Sequence, residues 1–357
     1  MNTTLELSEL NRQIGQIFMA GIPDTSLDKQ TLQLIRDYNL GGIILFSRNI
    51  DNPIQIAELC RDIQDAALKI HGHRIFISTD QEGGRVARLR TPFTEFPGNA
   101  AIGVDGDSET SAEEFGHITA EEMKLVGLNM NLAPVLDVQR GELEKHLTGR
   151  AFGEDPAIVS LLGRAVIRAL QENGVMAVAK HFPGLGRATI DPHLNLPRID
   201  IDNQELEEIN LPPFHAAIEE GVSAVMTSHA VYDALDRDNP ATLSYKILTE
   251  LLREKMGFKG LVITDDLEMG AITKEWSVAE GAVNAFMAGA DILLVCESQD
   301  ELMNSIERMR GMVLRNEISN KRLNQSIERI KTVRNRFLKG KRKVSIAKVN
   351  DYFKLPA

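Results

Sequence analysis

Cysteine is scarce: Cys60 and Cys296 are the only two in 357 residues, and each adjoins an apolar segment far from the other. That excludes a disulfide framework and a cysteine-based metal site. No run of about 18 apolar residues occurs, so no membrane span is expected. The first residues, MNTTLELSELNRQIGQ, lack a basic stretch followed by an apolar one. No secretory signal is visible there, and a cytoplasmic location is expected. Basic residues are outnumbered, 40 Lys plus Arg against 51 Asp plus Glu, for a net charge of −11. An acidic balance disfavours non-specific nucleic-acid binding. HExxH, P-loop and Cys/His clusters are missing, so neither a metal nor a nucleotide cofactor is called for. GLGRAT (Gly184–Thr189) approaches a dinucleotide glycine run, but it lacks the third glycine, and Asp191-Pro192 breaks the helix that should follow.

What the chain does have is a rhythm. Short apolar runs recur, each followed by a polar loop and then a helix-like segment. They are Gln16–Gly21, Gly41–Phe46, Arg74–Asp80, Leu128–Pro134, Val175–Phe182, Ala224–His229, Leu261–Asp266 and Asp291–Cys296. Their near-continuous apolar character predicts strands buried on both faces, as in a parallel sheet covered by helices. Amphipathic stretches such as SLDKQTLQLIRDYN, PIQIAELCRDIQDAALKI and DPAIVSLLGRAVIRALQEN lie between them. The pattern predicts an α/β protein, a (β/α)8 TIM barrel, with a doubly wound open sheet as the alternative. No low-complexity linker divides the chain. Residues 1–357 therefore read as one catalytic barrel domain with an extra C-terminal helix and tail from about 319. That helix, Ser319–Leu338, is basic and amphipathic, and its Lys/Arg residues read as a solvated face.

Polar groups gather where these strands end. Asp80, Arg85 and Arg88 follow the third run, and Arg150 lies in the loop after the fourth. Lys180 and His181 close the fifth, His229 the sixth, and Asp265 with Asp266 the seventh. In a barrel all of these project toward one mouth. Taken singly, each has a plainer reading. Asp80 could cap a helix, Arg88 could be a surface pair, and one of Asp265 and Asp266 could cap the helix that follows. Gly83-Gly84 supply a tight turn. His71, His73, His117, His146 and His215 lie away from the strand ends and read as structural or solvated. Convergence favours a site, because chance would scatter charges over both ends of the barrel.

The stretch Lys180–Pro197, KHFPGLGRATIDPHLNLP, adds an Asp-x-His step in which Asp191 stands two residues before His193. A histidine oriented by an aspartate can donate and recover a proton near neutral pH. A carboxylate at a buried strand end can attack an electrophilic carbon. Arg and Lys with a second carboxylate can grip sugar hydroxyls and an amide. Together these groups suit a two-step retaining glycosidase, whose usual pair is two carboxylates about 5 Å apart. Here a histidine would take the place of one of them.

The set DQEGGRVARL, NLAPVLDV, GRAFGEDP, KHFPG-x-G…D-x-H…LP, MTSH and ITDDLEMGA resembles family-three glycoside hydrolases, in the family's order and over most of the chain. It is most similar to the single-barrel bacterial β-N-acetylhexosaminidases that act on peptidoglycan fragments. The resemblance implies a retaining β-N-acetylglucosaminidase with Asp265 as nucleophile, His193 as general acid/base and Asp191 as its orienting partner. It further implies that Asp80, Arg88, Arg150, Lys180 and His181 bind the sugar, and that the loop carrying the dyad closes over it. It implies no cofactor and no metal. The partner is an N-acetylglucosamine-containing saccharide, with no nucleic acid and no membrane, and the chain is expected to be a monomer. Leu185 and Pro192 stand where the family usually has His and commonly Ser. The alternative readings are a phosphorylase acting on N-acetylglucosaminides or glucosides, or a β-glucosidase using the same site.

Overall fold

Each predicted apolar run contains a strand, and the strands close on themselves. In the computed structural model, which describes residues 3–141, 144–145, 147–340 and 343–355, these are β1 (Phe18–Gly21), β2 (Gly42–Ile44), β3 (Phe76–Thr79), β4 (Met130–Asn131), β5 (Met176–Phe182), β6 (Ala224–Thr227), β7 (Leu261–Asp266) and β8 (Ile292–Val295). Every neighbouring pair is parallel, and β8 returns to β1 through the register Phe18↔Leu293 to Ala20↔Val295, so the sheet is a closed barrel. The open-sheet alternative is thereby excluded. Parallel strands of Val, Ile, Leu, Met and Ala need cover on both faces, and these residues are almost fully buried.

The helices start where side chains can satisfy the first free amides. Asp28 accepts from the amides of Gln30 and Thr31 ahead of α2 (Lys29–Tyr38), and Asn52, followed by Pro53, does the same for α3 (Pro53–His71). α4 (Ser108–Val126) ends at Gly127 with φ 96°, a left-handed turn that closes the helix cheaply only with glycine. Asp155 caps α5 (Pro156–Glu172), and Ser277 with Glu280 forms a reciprocal box at the start of α8 (Val278–Ala288). Between them lie α6 (Leu211–Glu219) and the π-type helix α7 (Lys246–Lys255). α1 (Thr3–Gly15) precedes the barrel, while α9 (Gln299–Leu314), α10 (Asn320–Leu338) and α11 (Ile346–Phe353) complete it.

α10 corrects one expectation. Several of its basic residues face inward. Asp291, fully buried at the start of β8, accepts from the Val262 amide at 3.0 Å, Ser326 Oγ at 2.6 Å and Arg329 Nη1 at 3.0 Å, and also pairs with Arg253. Arg322 donates to the carbonyl oxygen of Phe286 at 2.8 Å and also to that of Ala290, closing the end of α8. Burial pulls the Arg322 guanidinium down to about 10, so it stays charged at neutral pH. A buried carboxylate and a helix C-terminus both require cations, and α10 supplies them. His71 and His73 stack on each other away from the strand ends, as expected, whereas His146 lies outside the described residues.

Candidate active site

The C-terminal ends of the strands surround a cavity of about 310 Å³. Asp80, Arg88, Arg150, Lys180, His181, His193 and Asp265 all line it, together with Arg85, Pro192 and Asp266. Seven of the eight expected site residues thus share one wall. The eighth, Asp191, stands behind His193. A larger cavity of about 560 Å³ lies between α3, α4, α10 and α11 and holds none of them. The chemistry follows the polar cavity, where titratable groups converge.

Strict alternation along a strand would send one of Lys180 and His181 outward. β5 breaks its register against β6 between Ala179 and Phe182, and β7 breaks against β8 between Ile263 and Asp266. A bulge re-aims side chains, and each of these puts two consecutive polar residues on the cavity wall. The Lys180–His181 and Phe182–Pro183 peptides are cis.

The floor is an ion network. Lys180 Nζ lies 2.8 Å from Asp80 Oδ1 and 2.6 Å from Glu82 Oε1. Arg150 donates to both oxygens of Glu82 at 2.8 Å, a bidentate pair, and Arg88 Nη2 reaches Asp80 at 3.2 Å. Asp80 is therefore a partner of cations, not a helix cap. Burial alone would push both carboxyls up. For Asp80, Lys180 and Arg88 outweigh it and hold the group well below its usual range; for Glu82, Arg150 and Lys180 bring it to about 2. Arg88 is delivered by a tight hairpin that turns at Gly83 and Gly84, at φ 86° and 59°. Gln81 holds that hairpin, its Oε1 accepting from the amides of Arg88 and Leu89, both at 2.9 Å.

Asp137 was not foreseen in this site. It is buried and collects three donors: the His181 amide at 3.1 Å, the Leu185 amide at 2.7 Å and the His181 ring, whose Nδ1 lies 2.8 Å away. Burial would raise its carboxyl, but His181 and the two amides hold it low. The ring is thereby held by Nδ1 against Asp137 while His181 lines the cavity. Nearby, Gly186 passes so close to Val138 that a Cβ would sit 1.9 Å from the Val138 oxygen. Only glycine fits there.

Asp265 stands at the end of β7, its Oδ1 accepting the Asp266 amide at 2.8 Å. Burial raises its carboxyl, yet His229 and His181 outweigh that and keep it below the ordinary range. Asp266 goes the other way. Burial, with Glu268 and Asp265 close by, lifts it to about 7, and its Oδ1 accepts the Glu268 amide at 3.1 Å within the turn. Neither aspartate takes the capping role considered for the pair, because the next helix starts at Gly270 behind Met269 with no side-chain cap. His229 does not line the cavity: its Nε2 donates to the Asp266 carbonyl at 2.8 Å, and its Nδ1 lies 2.7 Å from Thr242 Oγ1. It braces the strand that carries Asp265 instead of meeting the cavity.

Above the floor hangs the loop with the Asp-x-His step. Asp191 Oδ1 lies 2.8 Å from His193 Nδ1 and also accepts the His193 amide at 2.8 Å. The His193 side chain is 60% exposed, the most open of the site residues. Pro192 and Leu185 are both buried. Two backbone hydrogen bonds dock the loop on the turn after β7, from the Gly270 amide to the His193 oxygen and from the Ala271 amide to the Pro192 oxygen, each 3.0 Å.

The profile described as the glycosyl hydrolase family 3 N terminal domain matches residues 9–333. A β-hexosaminidase of Nitrosomonas eutropha is 34% identical over 81% of this chain and 84% of its own. β-Hexosaminidase A of Pseudoalteromonas piscicida is 36% identical over 76% of this chain, which spans about half (48%) of that longer protein. Among solved structures, a family 3 β-N-acetylglucosaminidase from a Paenibacillus strain superposes with a TM-score of 0.90 at 35% identity, covering 96% of this chain and 68% of that one.

Proposed function

The chain belongs to glycosyl hydrolase family 3, and from that membership and the cavity's geometry we propose that it is a retaining β-N-acetylglucosaminidase. It removes terminal β-linked N-acetylglucosamine from peptidoglycan fragments, acting as a monomer in cytoplasmic cell-wall recycling, with residues 1–357 as one catalytic domain. The observation that carries the reading is that one cavity presents both a half-buried Asp265, its carboxyl held below the ordinary range, and an imidazole backed by a carboxylate.

Asp265 attacks the anomeric carbon and forms a glycosyl-aspartate. With Nδ1 held against Asp191, His193 carries the transferable proton on Nε2 and gives it to the departing glycosidic oxygen. In the second step the same nitrogen takes a proton from water, which displaces Asp265. Throughout, Asp80, Arg88, Arg150, Lys180 and His181 hold the sugar's hydroxyls. Because Lys180 and Arg150 are already bound to Asp80 and Glu82, they are preorganised and need little rearrangement on binding.

Hydrolysis of an aryl β-N-acetylglucosaminide, with and without inorganic phosphate, tests this reading. Release of free N-acetylglucosamine at a rate indifferent to phosphate is expected. Cleavage of an aryl β-glucoside alone, or formation of a sugar 1-phosphate, would overturn it. Asp265→Ala should lose nearly all turnover, and an unchanged kcat would remove Asp265 as nucleophile.

A further inference from the structure

The two halves of the proposed machinery lie on different elements. Asp265 is anchored in the barrel wall, whereas Asp191 and His193 ride on a loop that leaves β5 and whose tip is exposed. Something must register one against the other, and the contact is at Gly270. This residue opens the short helix Gly270–Thr273 in the turn after β7. A Cβ there would lie 2.6 Å from the Leu194 oxygen and 2.7 Å from the His193 oxygen. Both neighbours are backbone atoms of the dyad loop and cannot rotate aside. Gly270 is in a helical conformation that alanine adopts readily, so the missing side chain answers to the loop and not to local backbone strain.

We propose that Gly270 is a positioning residue for proton transfer: its bare Cα lets the dyad loop seat on the turn that follows the Asp265 strand, fixing His193 over the scissile bond. The seat has three ties. They are the amides of Gly270 and Ala271 donating to His193 and Pro192, each at 3.0 Å, and Lys274 Nζ donating to Asn195 Oδ1 at 2.6 Å. A methyl group at 270 pushes the loop back and lengthens the first two together. Displacement of about 1 Å at a reacting group is enough to cost rate heavily. This inference rests on the hydrolase reading above, with His193 as its acid.

The test compares two aryl β-N-acetylglucosaminides, one with a phenol leaving group that needs protonation and one with 2,4-dinitrophenol, which does not. For Gly270→Ala, kcat/KM should fall about 30-fold on the phenyl glycoside and less than about threefold on the dinitrophenyl one, because only the former relies on general-acid catalysis. In a His193→Ala background the same change should cost less than about twofold on either substrate, since residues acting as a unit are non-additive. Equal losses on both glycosides, or full additivity with His193→Ala, would overturn the proposal. Should Gly270→Ala not fold, Lys274→Ala removes the third tie from an exposed position. A loss confined to the phenyl glycoside supports the seat, and an equal or absent loss overturns it. Wild-type protein inert on both glycosides sinks the hydrolase reading and this inference with it, whereas active wild type with indifferent variants sinks Gly270 alone.

Discussion

Glu82→Gln is the sharpest probe of the ion network, because the carboxylate touches no face of the cavity and works only through Lys180 and Arg150. Its side chain is 1% exposed and meets Lys180 at 2.6 Å and Arg150 at 2.8 Å. The wild-type cluster sets three cations, Arg88, Arg150 and Lys180, against Asp80 and Glu82; the amide leaves Asp80 alone among them. The carboxyl drops from 4.5 to about 2 in the folded protein, which corresponds to roughly 3 kcal/mol at about 1.4 kcal/mol per unit. Loss of one partner from a buried pair costs about as much. With an unfolding entropy of about 2 cal/mol/K per residue, that is a fall of about 4 °C in Tm at pH 7. A depressed carboxyl contributes stability above its unfolded value and loses it as pH falls toward the folded one. The gap between wild type and variant should therefore be full at pH 7 and shrink below about pH 4.5. Arg150 and Lys180, no longer held, should raise KM about tenfold, the effect of one weakened charged hydrogen bond, with kcat changed far less. Thermal melts at several pH values and initial-rate kinetics measure both. A Tm shift below about 1 °C together with an unchanged KM would refute the reasoning. Glu82→Gln/Arg150→Gln should melt higher than the summed losses predict, because the second change removes the cation that the first left unpaired.

Two further expectations concern the groups the site hides. Asp137→Ala strips the His181 ring and two amides of their acceptor, so a loss of about 2 kcal/mol in stability and at least tenfold in kcat/KM is expected; melts and kinetics matching wild type would rule out a role for Asp137 in holding His181. Asp266 is raised from 3.8 to about 7, so the folded state keeps a proton that the unfolded state sheds, and stability falls as pH rises between those values. Asp266→Asn should accordingly raise Tm at pH 8, by at most about 4 kcal/mol of stability, and hardly at all at pH 4. An equal gain at both pH values would show that the carboxyl's titration is not responsible.

The barrel was legible because β/α alternation leaves a strong trace: continuous apolar strands and capped amphipathic helices at regular intervals. The gathering of polar side chains at one cavity was legible because they follow strand ends or sit in the Asp-x-His step. Glu82 and Asp137 were not. Glu82 stands two residues beyond Asp80 and so on its side of the chain, a signal present but hidden in a glycine-rich turn. Asp137 sits among aliphatic neighbours in APVLDV, and nothing local announces that a histidine 44 residues on will fold against it. The inward basic residues of α10 escaped for a related reason. Their partner, Asp291, reads only as the first residue of the eighth apolar run until the barrel closes. His229 erred oppositely: its strand-end position was right, but Thr242 and the Asp266 carbonyl engage both ring nitrogens.

The seam between β1 and β8 joins a strand near the start of the chain to one made near the end. During synthesis β1 must wait with an unpaired edge until β8 has left the ribosome, and the Asp291 cluster beside that strand is completed only by α10. Distant pairings of this kind form late and expose strand edges meanwhile. A chain stopped before β8 therefore possesses all eight expected site residues and still lacks the strand that closes the ring around them.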